Sequence, residues 1–359
     1  MRRWYRLAFV VSIGMPTLVA AQEAIGTLKS LRGQTVLERA GGKRAAAPGD
    51  ALQSGDRILT GSDGQASLSF RDQSSLTIGP NSDVDLTRYR FDPVTHQGEQ
   101  QVRLRSGGLA AISGKLAKAS PEAVKFNAGT MTLGVRGTRF VAELQADAAA
   151  SGIGLLRDGQ GRIVRSAQGL CWQAGAGPGA CPADRYVLLP DRDGRVGQIT
   201  LSAQGAPLVL GSAYAGLEVD DQGVRRVDWT EAQVRARYAA LLDAMPPAAQ
   251  TFVLRFESGS ASRLSSESQA ALADIRQAIA SWPVVPNVDV VGHTDTTGPA
   301  EGNDALSLER ARSVSRLLDA LSLPPERLQV SGRGERQLLV QTPDETAEPE
   351  NRRVEITIY

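Results

Sequence analysis

The sequence predicts a multidomain protein: an N-terminal all-β domain, a small β unit in the middle, and a C-terminal α/β sandwich. Three observations carry this. Up to about residue 145, turn signals recur roughly every 8–12 residues with short alternating runs between them. Pro246-Pro247 then breaks the chain after a helical pattern. Beyond that break, strand-like and helix-like stretches alternate, as they do when helices pack on a sheet. A length of 359 residues accommodates two or three such domains.

Residues 1–21 read as a secretory signal peptide. Arg2, Arg3 and Arg6 form its basic start, residues 7–17 an apolar stretch broken by Gly14 and Pro16, and Val19-Ala20-Ala21 the cleavage site. The mature chain is expected to begin at Gln22. The competing reading is a membrane anchor, but the apolar stretch is shorter than the ~20 residues a spanning helix needs. No later stretch of the sequence reads as a spanning helix, so the expected compartment is the periplasm. Discounting the three leader arginines moves the formal charge from +1 to −2, with no basic excess to attract nucleic acid.

Residues 22–145 are read as the β domain. Gly41-Gly42, Pro48-Gly-Asp50, Ser54-Gly-Asp56, Asp63-Gly64 and Gly79-Pro-Asn81 are turn signals. Between them, Ala66-Ser-Leu-Ser-Phe70, Ser75-Leu-Thr-Ile78 and Val84-Asp-Leu86 send every second residue towards a core, as in a sandwich or barrel-like unit. Arg136 and Arg139 lie in Gly134-Val-Arg-Gly-Thr-Arg139, which has the look of an anion site. The preferred reading gives the glycines to backbone geometry and the arginines to local pairs. His96, in a turn-like stretch, is expected to be an exposed loop histidine.

Residues 146–228 are expected to form a separate small β unit of three or four strands, including residues 186–190, 196–201 and 207–210. Cys171 and Cys181 are the only cysteines, and in an exported chain they are expected to form a disulfide worth about 2–3 kcal/mol. Two cysteines with distant histidines fall short of a zinc set, and Asp191-Arg-Asp-Gly194 lacks the further ligands of a calcium loop, so no metal or cofactor is expected. In residues 229–247, Thr230 with Gln233 makes a capping box, and Val234, Tyr238, Leu241, Leu242 and Met245 share one face. This helix is read as a linker that spaces the β units from the last domain.

Residues 248–359 supply the α/β sandwich. Strands are expected at 252–256, 288–291, 328–330 and through Val354, Ile356 and Ile358. Helices are expected after Ser266 and over 303–321, the second with an apolar stripe of Leu306, Val314, Leu317, Leu318 and Leu321. Arg310 interrupts that stripe. An inward guanidinium needs a partner, and Asp295 at the tip of the preceding strand is the nearest candidate. The two could form a structural ion pair or together hold a zwitterion, and both readings stand. Residues 334–350 read as a polar loop before the last strand.

The wording of this last segment resembles a known module. Gly292-His-Thr-Asp295, Gly298, Asn303, Leu306-Ser307, Arg310-Ala311 and Asn351-Arg-Arg-Val-Glu355 follow the order and spacing of the OmpA-like C-terminal domain. That resemblance implies peptidoglycan binding. It implies that Asp295 takes the ammonium and Arg310 the carboxylate of diaminopimelate in the stem peptide. Asn303 and Arg352 would support them, with Thr294 inside the same motif. The β domain is similar to the FecR domain, through Gly49-Asp50, Gly55-Asp-Arg-Ile-Leu-Thr-Gly61, Leu76-Thr-Ile-Gly79, Phe91-Asp-Pro93 and Thr132-Leu-Gly-Val-Arg-Gly-Thr-Arg-Phe140. FecR itself is a regulator with a cytoplasmic segment that acts on a sigma factor. Only the leader precedes the domain here, so that activity is not expected, and protein contacts in the envelope are.

Enzyme readings are disfavoured. His293, Asp295 and a serine such as Ser258 supply the residue types of a triad, but no serine sits in a nucleophile elbow. There is no zinc-ligand cluster and no distinctive carboxylate pair. An outer-membrane barrel would need a long series of ~10-residue alternating strands with aromatic girdles, which this sequence lacks. The expected function is non-catalytic: a wall-associated envelope protein, with outer-membrane association left open, that binds peptidoglycan and displays its FecR-like domain, residues 22–145, to a protein partner. The alternative is a sensor or signalling adaptor acting through that domain.

Overall fold

The computed structural model describes residues 24–144 and 183–359, apart from 192, 204–205, 221, 248, 258–259, 261, 283 and 322, together with two short strands at 171–173 and 177–179. The leader, Ser258 and Cys181 lie outside the described residues, and so does the expected disulfide.

The β region is a sandwich of two sheets, each with nine described strands. The first runs Gly223–Asp228, Ala215–Asp220, Asp184–Leu189, Arg139–Glu143, Gly108–Ile112, Ser75–Ile78, Gln65–Phe70, Gly26–Arg32 and Ala51–Leu52. The second runs Leu208–Leu210, Gln198–Ser202, Met131–Arg136, Val124–Ala128, Gly98–Ser106, Asp83–Phe91, Arg57–Thr60, Thr35–Arg39 and Gly42–Ala45. One pairing, Val124–Ala128 with Gly98–Ser106, is parallel. The inner faces meet in one core that includes Leu28, Leu68, Phe70, Leu133, Phe126 and Phe140, the last two edge-to-face at 4.9 Å.

This architecture corrects the expectation of a separate middle unit. Asp184–Leu189, Ala215–Asp220 and Gly223–Asp228 extend the first sheet, while Gln198–Ser202 and Leu208–Leu210 extend the second. Tyr186, Leu188, Ile199, Leu201 and Leu217 join the same core. An edge strand with unpaired backbone groups is completed by neighbouring strands wherever the chain supplies them, and strand length alone does not reveal which sheet they join.

The linker helix is corrected too. Glu231–Asp243 forms with its capping box, Thr230 Oγ1 accepting from Gln233 N and Gln233 Oε1 accepting from Thr230 N. It does not span free space. Val234, Tyr238, Leu241 and Met245 pack on Ala110, Val141, Val187 and Leu189, the outer face of the first sheet. Arg237 makes a bidentate pair with Glu143 at 2.8 and 2.9 Å, and Tyr238 donates to the same carboxylate at 2.9 Å.

The C-terminal domain has the expected α/β architecture. Its sheet runs Gln250–Arg255, Arg353–Ile358, Val288–Gly292, Leu328–Gly332, with the last pair parallel. Helices Ser266–Ala280 and Ala300–Leu318 cover one face, burying Leu254, Leu272, Ile275, Val288, Val290, Val314, Leu318, Val354 and Ile356. Leu317, placed by sequence on the apolar stripe, is exposed. Leu306 and Leu321, placed there too, are half-buried, and the buried positions of the helix are Asn303, Ser307, Arg310, Ala311, Ser313, Val314 and Leu318, polar towards its start and apolar towards its end.

The other face of this sheet rests on the sandwich. Asp289 accepts from Tyr359 Oη at 3.0 Å and from Gln73 Nε2 at 2.9 Å, with Lys115 Nζ 3.6 Å away. Lys29 Nζ donates to the Tyr359 carbonyl at 3.1 Å, and Arg327 to the Gly49 carbonyl at 3.0 Å. His96, expected to be exposed, is half-buried in this joint with its Nε2 3.2 Å from Arg333. Burial, and next the neighbouring Arg327, lower the Lys29 pKa to about 7.

Candidate functional site

Strand Val288–Gly292 and helix Ala300–Leu318 converge where the sequence places Asp295 and Arg310. A side chain at Gly292 would meet the Ser307 carbonyl at 1.9 Å, so only glycine allows this approach. The chain leaving the strand is held by its backbone: His293 N donates to Arg353 O at 2.8 Å and Thr294 N to Gly334 O at 3.0 Å.

Asp295 and Arg310 are each 6% exposed. They share the site but are not each other's ion pair. Asp295 Oδ2 accepts from Arg352 at 3.1 Å and from Glu348 N at 3.2 Å. Arg310 donates to the His293 carbonyl at 3.2 Å and lies 5.6 Å above the Phe256 ring. Its Nε is buried without a hydrogen-bond partner, as is Thr294 Oγ1. Burial lowers the Arg310 pKa, Arg352 lowers it further, and Asp295 and Glu309 oppose this.

Asn303 also lines this end of the helix, donating to Glu335 at 2.7 Å. Of the five residues assigned from sequence, Asp295 pairs with Arg352, Arg310 reaches from mid-helix to the carbonyl of His293 beside Thr294, and Asn303 at the helix start faces Glu335. Sequence reasoning missed what surrounds them. Residues 334–350 form the rim: Thr296 Oγ1 donates to Pro343 O at 2.7 Å and accepts from Thr346 N at 3.0 Å. Asn351, fully buried, clamps the base of this loop, accepting from Leu339 N and Val340 N at 2.7 and 2.9 Å. Its place in the terminal motif was the available signal. Phe256 carried none, because an aromatic ending a strand reads as core.

Chemically, the site is one carboxylate flanked by two guanidiniums, with a buried hydroxyl and a buried N–H unsatisfied. Such a set can hold a group bearing both an anion and an ammonium. Among the described residues, no cluster of three or more His, Cys, Asp or Glu could hold a metal, and no helix is long and apolar enough to cross a membrane.

Comparison with known proteins gives two family matches. Residues 255–352 match the OmpA family, and residues 56–157 match the FecR protein family. Over 80 residues the chain is 36% identical to outer membrane porin F of Pseudomonas fluorescens, covering 22% of this chain and 24% of that protein. Over 120 residues it is 32% identical to an outer membrane protein of Gluconacetobacter diazotrophicus, covering 32% of this chain and 31% of that one. The chain thus spans about a quarter to a third of these relatives. Among solved structures, the peptidoglycan-associated lipoprotein of Burkholderia pseudomallei aligns at 27% identity and a TM-score of 0.27, over 30% of this chain and 89% of that one. The cell wall anchor of the type VI secretion system from Pseudomonas aeruginosa aligns at 26% identity and 0.27, over 36% and 96%.

Proposed function

We propose that this chain, an OmpA-family domain joined to a FecR domain, is a non-catalytic envelope protein that binds peptidoglycan in the periplasm at the Asp295–Arg310 site. The observation that carries the reading is the charge arrangement. Burial disfavours the charge on Arg310 and the neighbouring Arg352 adds to this, while the direct ion pair of Asp295 goes to Arg352. A ligand carboxylate beside Arg310 relieves that strain, and an ammonium on the same carbon finds Asp295. The free end of diaminopimelate carries both groups on one carbon. The planar fork of Arg310 suits its carboxylate in two parallel hydrogen bonds, and the unsatisfied Arg310 Nε and Thr294 hydroxyl are ready donors. Asn303 sits at the margin as a supporting contact. The FecR domain, within residues 22–145, is the surface for an envelope protein partner. Its direct seating on the wall-binding domain favours, as a second reading, an adaptor that passes wall binding to that partner.

Co-sedimentation of the exported chain with purified sacculi tests the site. Asp295→Ala and Arg310→Ala, each folded by circular dichroism, are expected to lose at least about tenfold in affinity, as for a charged hydrogen-bond partner left unpaired. Arg310→Lys should fall nearly as far, because it keeps charge but loses the fork. Retention of all three variants with the pellet would remove the site from this role.

A further inference from the structure

One contact between the two domains, Arg333 with His96, is linked through its backbone to the wall site. Arg333 follows strand Leu328–Gly332, and its backbone is tied to both segments that carry the site. Arg333 N donates to Gly292 O at 2.9 Å, Gly334 O accepts from Thr294 N at 3.0 Å, and Gly334 N donates to Ser307 Oγ at 2.9 Å, on the helix of Arg310. The side chain of Arg333 runs the other way, into the joint, where it is 2% exposed. Its Nε and Nη1 make no hydrogen bond, and its Nη2 meets His96 Nε2 at 3.2 Å.

Arginine has only donors, so His96 Nε2 must accept, which requires a neutral imidazole with its proton on Nδ1. The ring stacks on Phe91 at 5.9 Å, on a loop turn where His96 itself takes a φ of 57°. The charged groups acting on it are Arg333 from the C-terminal domain, Lys115 from the short helix of the sandwich, and Asp92 from its own loop. Protonation would remove the acceptor and set a third cation beside Arg333 and Lys115.

We propose that His96 is a positioning residue for the wall site. While neutral, it clasps Arg333 and holds the sandwich against the chain ends that carry Thr294 and Asp295; once protonated, it releases them and wall binding weakens. The proposal rests on the wall-binding reading of that site. Burial, then Arg333 and Lys115, lower the His96 pKa from 6.5 to about 4. The closed state therefore disfavours the proton. Closure is intact above the ordinary histidine value, declines as pH falls through it, and stops declining near the lowered value. The ring is half-exposed, so solvent screening reduces the effect, and we expect a total loss of roughly tenfold in closure. Buried His293, 3.8 Å from Glu355 and with its pKa lowered to about 3 chiefly by burial, would act with the same sign. Lys29, in the same joint with its pKa lowered to about 7, disfavours closure when protonated, so the wild-type profile sums Lys29 and both histidines, and the His96 variants isolate one of them.

The test uses the full exported chain. Compactness is read by small-angle scattering, and sacculus affinity is measured from pH 7.5 to 4.5. Wild type is expected to open and lose roughly tenfold in affinity on acidification. His96→Gln, which keeps an acceptor that does not titrate, should stay closed and lose clearly less affinity on acidification than wild type, keeping only the share due to Lys29 and His293. His96→Arg should be open and weak throughout, with both domains folded by circular dichroism. A His96→Gln profile that still follows wild type overturns the proposal, as does a His96→Arg chain that opens yet binds normally, or one that stays closed. Failure of the wild type to pellet at pH 7.5 removes the wall-binding reading and this proposal together; pelleting that ignores both substitutions removes only this one.

Discussion

Arg310 holds its charge in a nearly closed setting with one carbonyl and one aromatic face for company. A cation over a ring gains about 0.5–1 kcal/mol at ordinary sites, and Phe256 fixes where the fork points. Phe256→Leu keeps apolar bulk and removes the ring face. We expect sacculus affinity to fall roughly 2–5-fold, with global stability changed by less than about 1.5 kcal/mol. Unchanged affinity at unchanged stability would reduce the ring to packing. The inward position of Arg310 was legible because helical spacing is stiff: Val314 and Leu318, four and eight residues on, share its face, although Leu306 on the other side is only half-buried. Its partner was not legible. Asp295 turns to Arg352, 57 positions away, and the fold of the intervening loop decides that geometry.

At the scale of elements, helix Glu231–Asp243 shows where periodicity informs and where it stops. The pattern of Val234, Tyr238 and Leu241 gives the helix, its cap and its buried face. It does not say what the face is buried against. That surface is the outer side of a sheet whose strands are covered on both faces, as in Tyr186–Leu189, where four consecutive residues are buried. Such strands lose the alternation that would identify their sheet, which is why the extension of the sandwich past residue 183 escaped the sequence reading. The docked helix makes a clear prediction. Leu241, 7% exposed, packs in the same cluster as Ala110 and Val141. Leu241→Ala should lower the stability of the sandwich by about 2–4 kcal/mol, a loss seen in chemical denaturation. A free spacer helix would show almost none.

At the scale of the molecule, the two domains meet through a polar sheet face rather than an apolar one. The sequence reading used the alternation of Val354, Ile356 and Ile358 to place the last strand and assigned nothing to its other face; a polar face reads as solvated, so the joint was invisible in the sequence. Asp289 is its hub, 4% exposed and shared by Tyr359, Gln73 and Lys115. Removing it takes the acceptor from the buried Tyr359 hydroxyl and the half-buried Gln73 amide, at a cost of about 1–3 kcal/mol for a buried partner left unsatisfied. The joint is intramolecular, so that cost is expected to appear as opening rather than unfolding. Asp289→Ala should raise the radius of gyration, while the circular dichroism of both domains persists. Asp289→Asn retains an acceptor for the tyrosine and a flexible amide for Gln73, and loses only the attraction to Lys115, which at 3.6 Å and with partial exposure is modest. It should therefore stay closed. If the alanine variant also remains compact, the domains are held by the Arg327–Gly49 and Lys29–Tyr359 contacts instead. If the asparagine variant opens as far as alanine, charge rather than hydrogen bonding holds the joint, and its closure should then weaken with added salt.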